Sequence, residues 1–350
     1  MWEMTETSPT CTAKSAASKR ADFVIVALAL IGIAIVSASL LLGRYPIDPT
    51  QALAMLASRI VVLEPSWTDQ QQTLFFNVRL PRILLALMVG CCLSAAGAAY
   101  QGTFQNPLVS PDILGASQGA AFGAAVAILS GFTGAMVSVS AFCFSILTVF
   151  LVLAVSARAR GNHTMVVVLA GIMVSSLFSA GVSYAKLVAD PTDELADITY
   201  WLMGSLTGAK MTQVATVAPI LFAGLVTLFV LRWRINILVM GDDEAATMGV
   251  NARLVRLVII VAATFLTAAC VSVTGMIGWV GLVIPHLCRM LVGADYRKLI
   301  PASMLMGSGF LLAVDDIARL ATTAEIPIGI LTAFAGAPFF LYLITRKKKL

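Results

Sequence analysis

The chain has 350 residues, of which 59% are hydrophobic and 12% charged, with a formal net charge of +5 and a mean hydropathy of +0.93. Soluble domains carry about a quarter charged residues, so this composition excludes a water-soluble core protein and places the chain in a membrane. The surplus of 23 basic over 18 acidic residues is explained by membrane topology and calls for no nucleic-acid partner.

A helical span needs about 20 mostly apolar residues. Ten such stretches follow one another, near 22–42, 80–101, 112–130, 133–156, 164–186, 212–231, 254–274, 276–292, 299–318 and 327–345. The expected fold class is an all-α polytopic membrane protein. It has a cytoplasmic N-terminal tail over 1–21 and a single ten-helix transmembrane domain over 22–346. The first apolar run follows Lys19-Arg20 and contains small residues at Ser37-Ala38-Ser39, as a signal peptide would. It is longer than a usual signal-peptide core and is read as a retained span.

At the second span, Pro81 sits where a helix can begin without missing an amide donor. It sets Arg79 and Arg82 three residues apart on one face, both pointing toward the outer water; snorkelling at the membrane edge is the plainer reading. Asn106-Pro107 and Ser110-Pro111 mark a tight inner turn. The third span then repeats Gly115, Gly119 and Gly123 every fourth residue, with Ala116, Ala120 and Ala124 beside them. Such a small-residue face lets helices approach closely where lipid supplies no hydrophobic drive. The fifth span carries Ser175, Ser176, Ser179 and Ser183 on one broad face, suited to a wet lining or an interhelical seam.

Between spans six and seven, residues 236–253 contain Gly241-Asp-Asp-Glu-Ala245 and Met248-Gly-Val250. Asp242 or Asp243 can cap a helix of about two turns, Glu244 complements its dipole and Gly249 can close it. Gly275, Gly278 and Gly281 introduce the eighth span, where Pro285 removes a helical hydrogen bond and predicts a kink or hinge. In the ninth span Asp315 and Asp316 are the nearest approach to an intramembrane ion site, and water or pairing with Arg319 would satisfy them.

Ten spans put both termini on one side. With that side cytoplasmic, the outer segments hold only Arg44, Arg59, Arg79, Arg82, Lys186, Lys210 and Arg319, and every other Lys and Arg is inner. The six cysteines and the two histidines, His163 and His286, show no metal-ligand spacing, and no metal site is expected. The chain contains no phosphate-binding G-x-x-x-x-G-K-[ST] loop, so a transporter built on it must borrow its energy from a separate subunit. An ion-coupled secondary transporter using Asp315 and Asp316 is the different-class alternative. A membrane-embedded enzyme lacks a catalytic cluster.

Several segments resemble the FecCD-type permeases, the membrane subunits of ATP-binding-cassette importers for vitamin B12, haem and ferric siderophores. These are Arg79-Leu-Pro-Arg82, Asn106-Pro-Leu-Val-Ser-Pro-Asp-Ile-Leu-Gly115, Trp201-Leu-Met-Gly-Ser205, Gly241-Asp-Asp-Glu-Ala245, Gly278-Trp-Val-Gly-Leu-Val-Ile-Pro-His286, Glu325-Ile-Pro-Ile-Gly329 and Gly336-Ala-Pro-Phe-Phe340. The resemblance runs from about residue 23 to residue 346. It implies a BtuC-like, type II importer fold in the cytoplasmic (inner) membrane, paired with a second permease copy as a homodimer or with a related chain. It also implies that Gly241, Asp242, Asp243, Glu244, Ala245, Met248 and Gly249 dock a partner ATPase, which uses ATP and Mg while this chain binds no cofactor. Arg79, Arg82 and Arg319 would receive glutamates of a substrate-binding protein, and spans five and ten of two subunits would enclose the path. The Ser110-Pro-Asp-Ile-Leu-Gly115 wording is closer to siderophore permeases than to vitamin B12 permeases. The expected cargo is therefore a ferric siderophore, with haem or vitamin B12 as the alternative within the family.

Overall fold

The structure is a computed structural model that describes residues 11–43, 45, 47–59, 66–159 and 163–345. Arg44, Arg160, the basic run 346–349 and the first ten residues of the expected tail lie outside the described residues. Every regular element among them is helical: α1 (Cys11–Leu41), α2 (Pro49–Ala57), α3 (Asp69–Leu74), α4 (Leu80–Thr103), α5 (Ala116–Leu129), α6 (Ala135–Arg158), α7 (His163–Val188), α8 (Glu194–Met203), α9 (Met211–Met240), α10 (Asp242–Thr247), α11 (Ala252–Thr274), α12 (Val280–Val292), α13 (Tyr296–Leu320) and α14 (Ile328–Thr345).

Each of the ten expected spans falls on one of these helices, and seven stretches are long and apolar enough to cross a bilayer by themselves. α5 and α12, at 14 and 13 residues, reach only about 20 Å at 1.5 Å per residue, short of the roughly 30 Å hydrocarbon core. A 3₁₀ turn at Pro111–Leu114 precedes α5, and the non-helical residues 275–279 precede α12. Backbone that leaves helical geometry at membrane depth must be covered by protein or line a cavity. These two segments do line one, as described below.

Three boundaries differ from the sequence reading. α1 begins at Cys11, so part of the expected tail is helical. α9 continues nine residues past position 231, to Met240, carrying its end to the short helix α10. Pro81 does not start a helix: α3 runs through a π turn at Phe75–Arg79 directly into α4. There the Leu80 amide donates to the Phe75 carbonyl five residues back, and this wider turn meets a proline that has no amide to offer.

α4 is the hub, packed against α9, α11, α12 and α13. Its core face is small, with Gly90, Ser94 and Gly97 buried at successive helical turns. A Cβ on Gly97 would sit 1.8 Å from the Gly281 carbonyl oxygen of α12, and one on Gly90 would sit 2.2 Å from the Gly307 carbonyl oxygen of α13. Those distances put backbone against backbone, the packing available to helices in lipid. Gly119 and Gly123 play the same part between α5 and α6. A Cβ there would meet Thr148 Oγ1 at 2.0 Å and the Ser140 carbonyl oxygen at 2.6 Å, and Ser140 Oγ donates to the Gly123 carbonyl at 2.7 Å.

Gly115 differs from the other two glycines of its series. Its φ of +77° makes it the left-handed joint between the 3₁₀ turn and α5, a conformation glycine adopts without steric penalty.

Candidate functional site

The sequence-predicted residues gather at the two ends of the bundle and around a cavity between them.

At one end, α10 is a six-residue helix held by few contacts. Gly241, at φ +128°, occupies the N-cap position expected for an aspartate, and Asp242, Asp243 and Glu244 fill the first turn, where their charge suits the helix dipole. Asp242 is drawn instead to Arg256 of α11, whose Nη2 and Nη1 donate to its two carboxylate oxygens at 2.8 and 3.2 Å. The helix closes as a Schellman motif: the Val250 amide donates to the Ala245 carbonyl, the Gly249 amide to the Ala246 carbonyl, and Gly249 has φ +73°. Ala245 is fully buried and anchors the helix, while Asp243, Glu244, Thr247, Met248 and Gly249 are exposed.

The platform beneath α10 is cross-linked. Gln105 Nε2, from the turn after α4, donates to the Leu238 carbonyl at 2.7 Å. Asn236 near the end of α9 donates to Asp295 at 2.6 Å and accepts from the Tyr296 amide at 2.9 Å. Arg289 of α12 bonds both the Tyr296 hydroxyl and Gln101 of α4, at 3.2 and 3.1 Å.

At the opposite end, Arg79, Arg82 and Arg319 are only 4%, 7% and 8% exposed. The expectation that Arg79 and Arg82 point into the outer water is not met, because carboxylates and carbonyls inside the protein capture them. Arg82 binds Asp315 at 2.8–3.0 Å through Nε and Nη2, and Glu325 at 2.8 Å through Nη1. Arg319 binds Asp316 and the Ser39 carbonyl, and Arg79 donates to the carbonyls of Leu40 and Tyr45. Asp315 and Glu325 thus neutralise Arg82, Asp316 neutralises Arg319, and backbone carbonyls satisfy Arg79. All three arginines, with Glu325, also line a cavity of about 230 Å³.

A cavity of about 960 Å³ lies between α7 and α14. Ser175 and Ser176 of α7 line it opposite Ile330, Ala333, Phe334 and Ala337 of α14. Ser179 and Ser183 do not line it; Ser183 Oγ donates to the Ser179 carbonyl at 3.0 Å within its own helix. The 3₁₀ turn before α5 contributes Asp112, which accepts from Ser117 Oγ, and the segment before α12 contributes Met276 to Trp279. Trp279 has φ +70°, rare for a bulky residue, and its ring packs where a Cβ on Gly336 would come within 2.7 Å. Gly278 has open space around it, Gly281 packs between Pro111 and α4, and Pro285 lies inside α12.

Sequence reasoning passed over Asp112, Gln118 and Trp279 as lining residues. The signal was there for Trp279, a large aromatic directly after Gly278, but nothing local shows that Asp112 faces a cavity. Among the described residues no cluster of His, Cys, Asp or Glu could hold a metal ion.

Residues 24–346 match the FecCD transport family. The chain belongs to that family. It is 40% identical over 312 residues to the molybdate import system permease protein MolB of Haemophilus influenzae, covering 89% of this chain and 92% of that protein. It is 40% identical over 281 residues to the cobalamin import system permease protein BtuC of Halobacterium salinarum, covering 80% and 75%. Among solved structures, an inward-facing metal-chelate type ABC transporter superposes with a TM-score of 0.83 at 37% identity, covering 92% of this chain and 99% of that one. This FecCD chain is therefore a multi-pass ABC importer permease.

Proposed function

We propose that this FecCD permease imports an iron chelate of the ferric siderophore class across the cytoplasmic membrane, with both termini cytoplasmic. A separate ATPase, using ATP and Mg, grips α10. A substrate-binding protein delivers cargo at the end bearing Arg79, Arg82 and Arg319. Two permease copies pair so that α7 and α14 of each face a shared path.

The observation that carries the reading is the cavity beside α7 and α14. At about 960 Å³ it has room for a bulky chelate, and its lining holds Asp112 but no lysine or arginine. A small oxyanion would be held by basic side chains, whereas here Gln118 and three serines stand among isoleucine, methionine and phenylalanine. A large chelate needs weak contacts along its path. Haem or vitamin B12 would meet the same walls and are the alternatives within the family. Ion-coupled secondary transport is less well supported, since Asp315 is already engaged by Arg82.

The platform below α10 offers a route for coupling. Asp242 ties α10 to α11, and Asn236, Tyr296, Arg289 and Gln101 link α9, α13, α12 and α4 in series. α12 begins just after Trp279, which stands in the cavity wall. An ATPase that binds α10 differently in two states can bias this path, as coupling demands.

The test is uptake by vesicles containing this chain with its ATPase and binding protein, offering a ferric siderophore, haem, cobalamin and molybdate, with and without internal ATP. ATP-dependent accumulation of the ferric siderophore supports the reading. Accumulation of molybdate alone would overturn it.

A further inference from the structure

A second cavity, of about 240 Å³, lies beside the α10 platform between α6, α7 and α11. Its polar wall is made by Arg253 and Arg256 of α11 and Ser156 of α6, and its apolar wall by Phe104, Val167 and Ile260. We propose that it binds the phosphate headgroup of an anionic phospholipid from the leaflet on the α10 side.

Three observations converge on an anion. Arg253 stands in the first turn of α11, the positive end of its dipole, where basic residues are unfavourable unless compensated, and Arg256 follows one turn later on the same side. Asp242 compensates Arg256, but Arg253 has no ion pair among the described residues. Arg256 is 9% exposed, and its Nε is buried with no acceptor. A buried donor left unmade is costly, and a group supplying an acceptor removes that penalty.

The flanks say that the anion carries hydrocarbon. Leu254 and Leu257 on α11 and Val155 on α6 are exposed large apolar residues near the cavity helices. In a chain that spans a bilayer such a surface faces acyl chains, and basic pockets between helices at the cytoplasmic edge suit lipid headgroups. The volume accommodates a phosphodiester and glycerol, while the tails lie along the apolar flank. Assignment of this edge to the cytoplasmic leaflet rests on the proposed topology, whereas binding itself does not.

Native mass spectrometry of the full chain, released from detergent with phosphatidylglycerol or phosphatidylcholine of identical acyl chains, tests this directly. Phosphatidylglycerol should be retained preferentially, with an advantage that falls about fivefold in Arg253→Ala, roughly the contribution of one basic residue near a membrane. Ala157→Phe, which narrows the cavity rim and leaves both arginines in place, should lower it as well and keeps the test decisive if Arg253→Ala does not fold. Equal retention of the two lipids, or an advantage unchanged in both variants, would overturn the proposal. So would displacement of phosphatidylglycerol by millimolar inorganic phosphate alone, which would assign the site to a free anion. None of these readouts depends on transport, so they remain separate from the cargo assignment.

Discussion

Arg82 and Asp315 stand 233 residues apart and are joined by three hydrogen bonds of 2.8–3.0 Å, with side chains only 9% and 1% exposed. The pair locks α4 to α13 at the end away from α10, and Glu325 extends the lock to the connection between α13 and α14. Thr207, from the segment before α9, donates to Glu325 at 2.6 Å.

Removing one partner of a buried pair strands the other charge. Arg82→Ala should destabilise the protein by about 3–5 kcal/mol. Thermal unfolding in detergent measures this, and an Arg82 serving only as a docking residue would leave the midpoint unchanged. A loss of binding-protein affinity in this variant would by itself not separate the two roles.

Gly97 of α4 and Gly278 in the segment before α12 give a contrast. Gly97→Ala drives a methyl into the Gly281 carbonyl and should lower stability by about 1–3 kcal/mol or block folding. Gly278→Ala meets nothing within 4 Å and should be neutral or slightly stabilising, by up to about 1 kcal/mol. Chemical denaturation of the two variants side by side decides it; equal losses would refute the close approach.

The serines of α7 separate by position. Ser176→Phe should narrow the large cavity and reduce cargo uptake several-fold without disturbing assembly, whereas Ser183→Phe should leave uptake intact. Initial uptake rates in vesicles, normalised to inserted protein, measure both, and inhibition by Ser183→Phe alone would remove the cavity from the path.

The Asp242–Arg256 pair predicts a dissociation of stability from function. With Asp242 58% exposed in its side chain, Asp242→Asn should change stability by no more than about 1 kcal/mol. It should nonetheless slow ATP-driven uptake by loosening α10 from α11. Unfolding curves and uptake rates of the same preparation make the comparison.

Helices at all ten expected stretches were legible because apolar length is a strong signal, and α10 was legible because acidic residues followed by a glycine are local chemistry. What the sequence hid was non-local. Arg79 and Arg82 look like membrane-edge residues until Asp315, Glu325 and the carbonyls of Leu40 and Tyr45 are brought beside them. The π turn at Phe75–Arg79 likewise turns Pro81 from a helix start into an interior position. Gly90, Ser94 and Gly97 recur at helical spacing, but which backbones they admit is set by Gly281 and Gly307 of the helices that cross them. Asp112 and Trp279 face the cavity because the backbone leaves helical geometry there, which periodicity does not reveal.

In the proposed mechanism α10 transmits ATPase work to the permease. The most direct measurement replaces residues 242–249 with a Gly-Ser segment and follows both membrane insertion and ATP-driven uptake in vesicles with the ATPase and binding protein. The variant should insert and pair but show no ATP-driven accumulation of cargo. Uptake at the rate of the unmodified chain would rule out α10 as the link.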